Sequence, residues 1–130
     1  MSVVLRPAKD TIAQMFSRRF FKIASLTGLA LIVFAFAFPI WQLFPDIRER
    51  IAIPLHYNIH FGVDLFGPWW LIFTFPAVGL IILILNFVMA FFLWRREKVL
   101  SYFFVSVSII TSLVALTSTI FVVLLNLTYD

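Results

Sequence analysis

Residues 23–44 read IASLTGLALIVFAFAFPIWQLF, and none of these side chains is charged. As a helix rising about 1.5 Å per residue the stretch reaches about 33 Å, enough to cross a hydrocarbon core of about 30 Å. No ordinary soluble core needs an uncharged run of this length, so these residues decide the fold class: an all-α membrane protein. The composition agrees, with 63% hydrophobic and 12% charged residues, far from the balance of a soluble domain. Pro39 is predicted to bend or end the helix near its outer end, because it removes one backbone donor. Ala35 and Ala37 have small-x-small spacing, but the leader before them is long and basic and apolar residues follow Pro39. The stretch is therefore read as a retained first span rather than a cleaved signal.

On its N-terminal side, residues 1–22 carry Arg6, Lys9, Arg18, Arg19 and Lys22. Ile12, Met15, Phe16 and Phe20 recur at helical spacing behind a cap at Asp10 or Thr11. This predicts a short basic amphipathic helix on the membrane surface beside anionic headgroups; the functional alternative is a docking arm for a cytoplasmic partner. On the other side, residues 45–69 form a loop, and residues 53–70 read IPLHYNIHFGVDLFGPWW. From Ile51 to Leu65 every odd position is apolar, while the even positions include His56, Asn58, His60 and Asp64. A period of two marks extended chain with one covered face. A β-hairpin of 51–58 with 62–66, turning over 58–61, is predicted to cap the outer ends of the helices.

Residues 70–94 form a second apolar run bracketed by tryptophans, which favour the headgroup boundary. Pro76 and Gly79 predict a kink near its outer end, and Asn86 is a lone amide expected to bond to a neighbouring helix. Residues 95–98 are too few for anything but a tight turn between antiparallel helices. Residues 99–127 form the third span. Its Ser101, Ser108, Ser112, Ala115, Thr119 and Asn126 share one helix face, with Thr111 and Ser118 beside it. Small residues there let a second helix come close, so Ser108, Ser112, Ala115 and Thr119 are read as packing residues. Eight of the ten Lys and Arg lie in 1–22 and 95–98. The positive-inside bias therefore puts the N-terminus in the cytoplasm and the loop and C-terminus outside.

The charge pattern also restricts function. Basic residues sit at the ends of apolar runs, as topology signals, and not in a nucleic-acid-binding stripe. No Asp, Glu, Lys, Arg or His lies in the apolar interior of a span, where ion and proton paths usually need one. There is no cysteine, hence no thiolate metal site, and no phosphate loop, zincin helix or nucleophile elbow. His56, His60 and Asp64 within nine residues would suit zinc with an open position. The plainer reading is that His56 and Asp64 hydrogen-bond across a hairpin, as a clasp or as part of a recognition surface.

Ile53, Pro54, His56, Tyr57, Asn58, Gly62 and Asp64 resemble the Ile-Pro-x-His-aromatic-Asn loop, followed by glycine and aspartate, of the membrane domain at the N-terminus of SdpI-type immunity and signalling proteins of bacteria. The Asn58 to Asp64 distance is that of the family, while the glycine is displaced by one and His60 has no counterpart. The resemblance implies a bacterial cytoplasmic membrane and an immunity-like role. The resulting expectation is a protein of three transmembrane helices with a small hairpin-like extracytoplasmic cap. It acts as a non-enzymatic sensing, immunity-like or accessory subunit, with Pro54, His56, Tyr57, Asn58, Gly62 and Asp64 as its recognition or clasp residues. Its expected partners are membrane lipid and a membrane protein or second copy, with no nucleic acid, metal or cofactor. The competing expectation is a metal-dependent membrane enzyme using His56 and Asp64.

Overall fold

The computed structural model describes residues 2–44 and 46–129, with side chains from residue 8 onward. Met1, Pro45 and Asp130, with the side chain of Arg6, lie outside the described residues. In chain order the elements are α1 (Ser2–Ser17), α2 (Arg19–Leu43), β1 (Ile53–Asn58), β2 (Gly62–Gly67), α3 (Thr74–Leu93) and α4 (Lys98–Thr128). Short 3-10 turns at Asp46–Glu49 and Trp69–Phe73 flank the hairpin. Among the described residues three helices are long and apolar enough to cross a membrane: α2, the continuous Trp69–Leu93 run ending in α3, and α4. The protein is a multi-pass membrane protein of three spans with one two-stranded antiparallel hairpin between the first and second.

The spans are apolar on nearly every side, so periodicity does not choose the inward face; small residues do. α4 is central and packs along both α2 and α3, which touch each other much less. Its Ser101, Ser108, Ser112, Ala115, Thr119 and Asn126 are all buried. The hydroxyls of Ser108, Ser112 and Thr119 bond to carbonyls of their own helix at 3.1, 2.8 and 2.8 Å, so their burial leaves no unpaired donor. Ser101 Oγ instead donates to Ala90 O of α3 at 2.7 Å. At mid-bundle a Cβ on Gly79 would lie 2.6 Å from Ala115 Cβ and 2.9 Å from Ile32 Cδ1. Only hydrogen fits where the three helices meet.

Apolar clusters stack along the bundle. Met15, Phe21, Ala24, Ala90, Trp94 and Val105 fill one end, and Ile32, Leu83 and Ala115 the middle. At the other end Leu43, Ile47 and Ile53 close over Ile72, Val122 and Val123. Arg48 lies 5.8 Å from the ring centres of both Phe44 and Trp69, tying the first 3-10 turn to the second.

Several expectations need correction. The N-terminal helix does not simply lie on the surface: Met15 and Thr11 are buried, and Arg95 Nε donates to Thr11 Oγ1 at 2.8 Å, docking α1 on the bundle. Ile12, Phe16 and Phe20 remain exposed, and the first span starts at Arg19 after a break at Arg18, whose φ −82° and ψ 125° are extended. Pro76 falls in the first turn of α3, where its missing N–H interrupts no established helix, so the kink is replaced by a helix start after the 3-10 turn. Asn86 is 8% exposed and its Nδ2 has no hydrogen-bond partner among the described residues, contrary to the expected bond to a neighbouring helix. The strict alternation of the loop also fails, for a reason found in the hairpin register.

Candidate functional site

Gly62, at φ +78°, sits in the left-handed region that favours glycine and begins β2 after a turn at 59–61. Asn58 shapes the same turn, its Oδ1 accepting the His60 N–H at 2.9 Å. Pairing runs Ile53 to Gly67, Pro54 to Phe66, His56 to Leu65, Tyr57 to Val63 and Asn58 to Gly62. Register irregularities between Pro54 and His56 and between His56 and Tyr57 leave Leu55 and then Asp64 without a directly opposed partner. Pro54 has no N–H to give to the ladder, which favours a bulge at this point.

Each irregularity changes which side chains share a face. Ile53 and Pro54, ahead of the first irregularity, are both buried, while Ile51, Tyr57, Ile59, Phe61 and Leu65 are exposed. The odd-numbered apolar set is not a covered face: Ile53 belongs to the core, Leu55 is half-buried, and Ile59 and Phe61 are 81% and 84% exposed. Phe66, at an even position, is exposed as well.

The hairpin is nevertheless firmly attached. Ile53 is fully buried in the cluster at the hairpin end of the bundle. Asn126 Nδ2, in the last turns of α4, donates to Pro54 O at 2.8 Å and to Val122 O at 2.8 Å. Asn126 is fully buried and its Oδ1 has no partner among the described residues. The Tyr57 and Tyr129 rings lie 6.1 Å apart. The Tyr129 phenol is held above the ordinary tyrosine range, first by desolvation, then by the Tyr57 charge and hydrogen bond.

His56 and Asp64 meet across the strands, with Nδ1 and Oδ1 at 2.6 Å. A carboxylate only accepts, so the imidazole donates through Nδ1–H. The side chains are 62% and 38% exposed, so the clasp is a surface pair. His60 lies at the turn, its ring beside Phe61 at 6.4 Å, and does not join them. Among the described residues no three His, Asp or Glu side chains converge to hold a metal. His56 also borders a groove of about 450 Å³ under β1, walled by Phe75 of α3 and by Ser118, Phe121 and Leu125 of α4.

The structure thus brings together His56 with Asp64, places Asn58 and Gly62 as the paired residues on either side of the turn, and gives Pro54 the carbonyl held by Asn126. It keeps Ser108, Ser112, Ala115 and Thr119 apart from this site, in the bundle. Asn126 was legible only as part of a small-residue stripe; a carboxamide in the last turns of an apolar helix was the available signal for an anchor. Exposure of Ile59 and Phe61 follows from their place in the turn at 59–61, so the turn signal and not the period-two pattern was the one that bore on them. No family model, no curated protein and no solved structure matches the chain.

Proposed function

We propose that the protein is a non-enzymatic accessory or sensing subunit, of the kind its loop resembles in SdpI-type immunity proteins. Its hairpin recognises a membrane-protein partner or peptide at the extracytoplasmic face of a bacterial cytoplasmic membrane. One observation carries this reading: the hairpin is fixed at its base by Ile53 and Asn126 yet holds out Ile59, Phe61, Leu65 and Phe66 with little cover. Burying such side chains is worth about 1.5–3 kcal/mol each, so an anchored cluster of this size stores binding energy for whatever covers it. Anchoring lowers the ordering cost on association. The His56–Asp64 clasp ties the two strands together behind the apolar tip and supplies a polar surface pair there.

A photo-crosslinking residue at position 61, compared with one at the lipid-facing Phe103, tests the reading in native membranes. The expected result is a discrete protein adduct from position 61, lost when Ile59 and Leu65 are changed to Ser, and lipid adducts alone from position 103. A second copy of the chain would be identified by the adduct mass. Lipid adducts alone from position 61 would overturn the proposal.

A further inference from the structure

Away from the hairpin, where α1 meets the bundle, the seam between α2 and α3 opens. The two helices touch at mid-bundle, where Gly28 leaves room for Leu83 and Gly79 for Ile32. From there toward the basic end the seam widens into a groove of about 470 Å³, walled by Leu26, Leu29 and Ser25 of α2 and by Leu83 and Phe87 of α3. Phe16 of α1 and the aliphatic stem of Lys22 complete its lining. Ser25 Oγ donates to Phe21 O at 2.6 Å, so its hydroxyl is satisfied within the helix and the wall behaves as apolar.

The groove has the polarity of an amphiphile. Ser25 and Leu26 lie three and four residues after Lys22, and Leu29 lies four and three after them, placing a cation above an apolar stripe on one helix face. Arg18 lies one turn beyond Lys22 in the same direction, and Lys22 N bonds to Arg18 O at 3.2 Å. Along α2, Lys22 to Leu29 covers about 10 Å, most of the depth of one hydrocarbon leaflet of about 15 Å. The α1 helix and the α3–α4 turn are held at this same end, by the Arg95–Thr11 bond and the packing of Phe21 on Trp94 at 5.1 Å. Among the described residues, the segments at this end carry Lys9, Arg18, Arg19, Lys22, Arg95, Arg96 and Lys98 against Asp10 and Glu97.

We propose that this groove is a binding site for one anionic phospholipid, with an acyl chain between α2 and α3 and the phosphate on Lys22. Charge complementarity selects the occupant. A zwitterionic lipid supplies the same chain with no net negative charge, and inorganic phosphate supplies the charge with no chain. Basic pockets between membrane helices bind acidic headgroups in this way, each cation near the surface contributing about 1 kcal/mol, equivalent to about fivefold in affinity.

The test is binding of phosphatidylglycerol to the full chain in mild detergent, followed by native mass spectrometry and by the shift in thermal unfolding. Phosphatidylcholine with identical chains and inorganic phosphate serve as separate arms. Lys22→Gln is compared with Lys9→Gln; both lysines are exposed, and the two variants have the same net charge. The expected result is one phosphatidylglycerol retained and a raised unfolding temperature, with neither effect from the other two probes. Lys22→Gln should weaken retention about fivefold while Lys9→Gln changes it less than twofold. Equal retention of phosphatidylcholine, equal stabilisation by inorganic phosphate, or equal loss in the two variants would each overturn the site.

Discussion

Ile53 and His56 are three positions apart on β1 and answer to different forces. Ile53 is fully buried in the cluster at the hairpin end, so Ile53→Asp strands a charge there and is expected to cost several kcal/mol, seen as lost folded yield in detergent. His56 is paired with Asp64 on an open face, where ion pairs contribute about 0–1 kcal/mol. His56→Ala and Asp64→Ala are therefore each expected to lower stability by no more than about 1 kcal/mol. The double variant should be no worse than either single one in thermal unfolding. Asn126 is the larger polar term. Asn126→Ala removes the donor to Pro54 O, and an unpaired buried carbonyl costs about 1–3 kcal/mol. Protease cleavage in the hairpin, slow in the wild type, should become fast in this variant while the spans stay intact.

Among the elements, the α3–α4 contact depends on a missing methyl group. Gly79→Ala would drive a Cβ to 2.6 Å from Ala115 Cβ, a methyl that cannot rotate away. The expected cost is about 1–3 kcal/mol of overpacking. Adding Ala115→Gly should recover most of it, because Ile32 Cδ1, the other close atom, is the end of a flexible side chain. A double-mutant cycle in detergent measures this coupling, and additive losses would show that the helices do not meet there. Ser112→Leu should be destabilising to a similar degree, since Ser112 is fully buried. This packing face was readable from the chain alone: in a span apolar on all sides, small residues at intervals of four and seven mark the only approach for another helix. The hairpin was readable as to its existence and turn, through Asn58 and Gly62. Its faces were not, because Leu55 and Asp64 each break the register, and a period-two argument has no means of anticipating a bulge.

At the scale of the whole molecule, one end gathers the basic residues, α1 and the α3–α4 turn, and the other carries the hairpin. Hydropathy counted the spans, since a charge-free run long enough to cross a bilayer has few other fates. It did not reveal that α4 is the central helix, nor that α1 docks through Met15 and Thr11, because those outcomes depend on which small and polar groups find partners. The central claim is that three membrane crossings hold an exposed hairpin tip on the side opposite the basic turn. The chain contains no cysteine, so single cysteines introduced at Phe61 and Arg96 report the two ends without background. Labelling intact cells with a membrane-impermeant maleimide is the direct measurement. Phe61→Cys is expected to react in intact cells and Arg96→Cys only after permeabilisation; reaction of both from the same side would contradict the account.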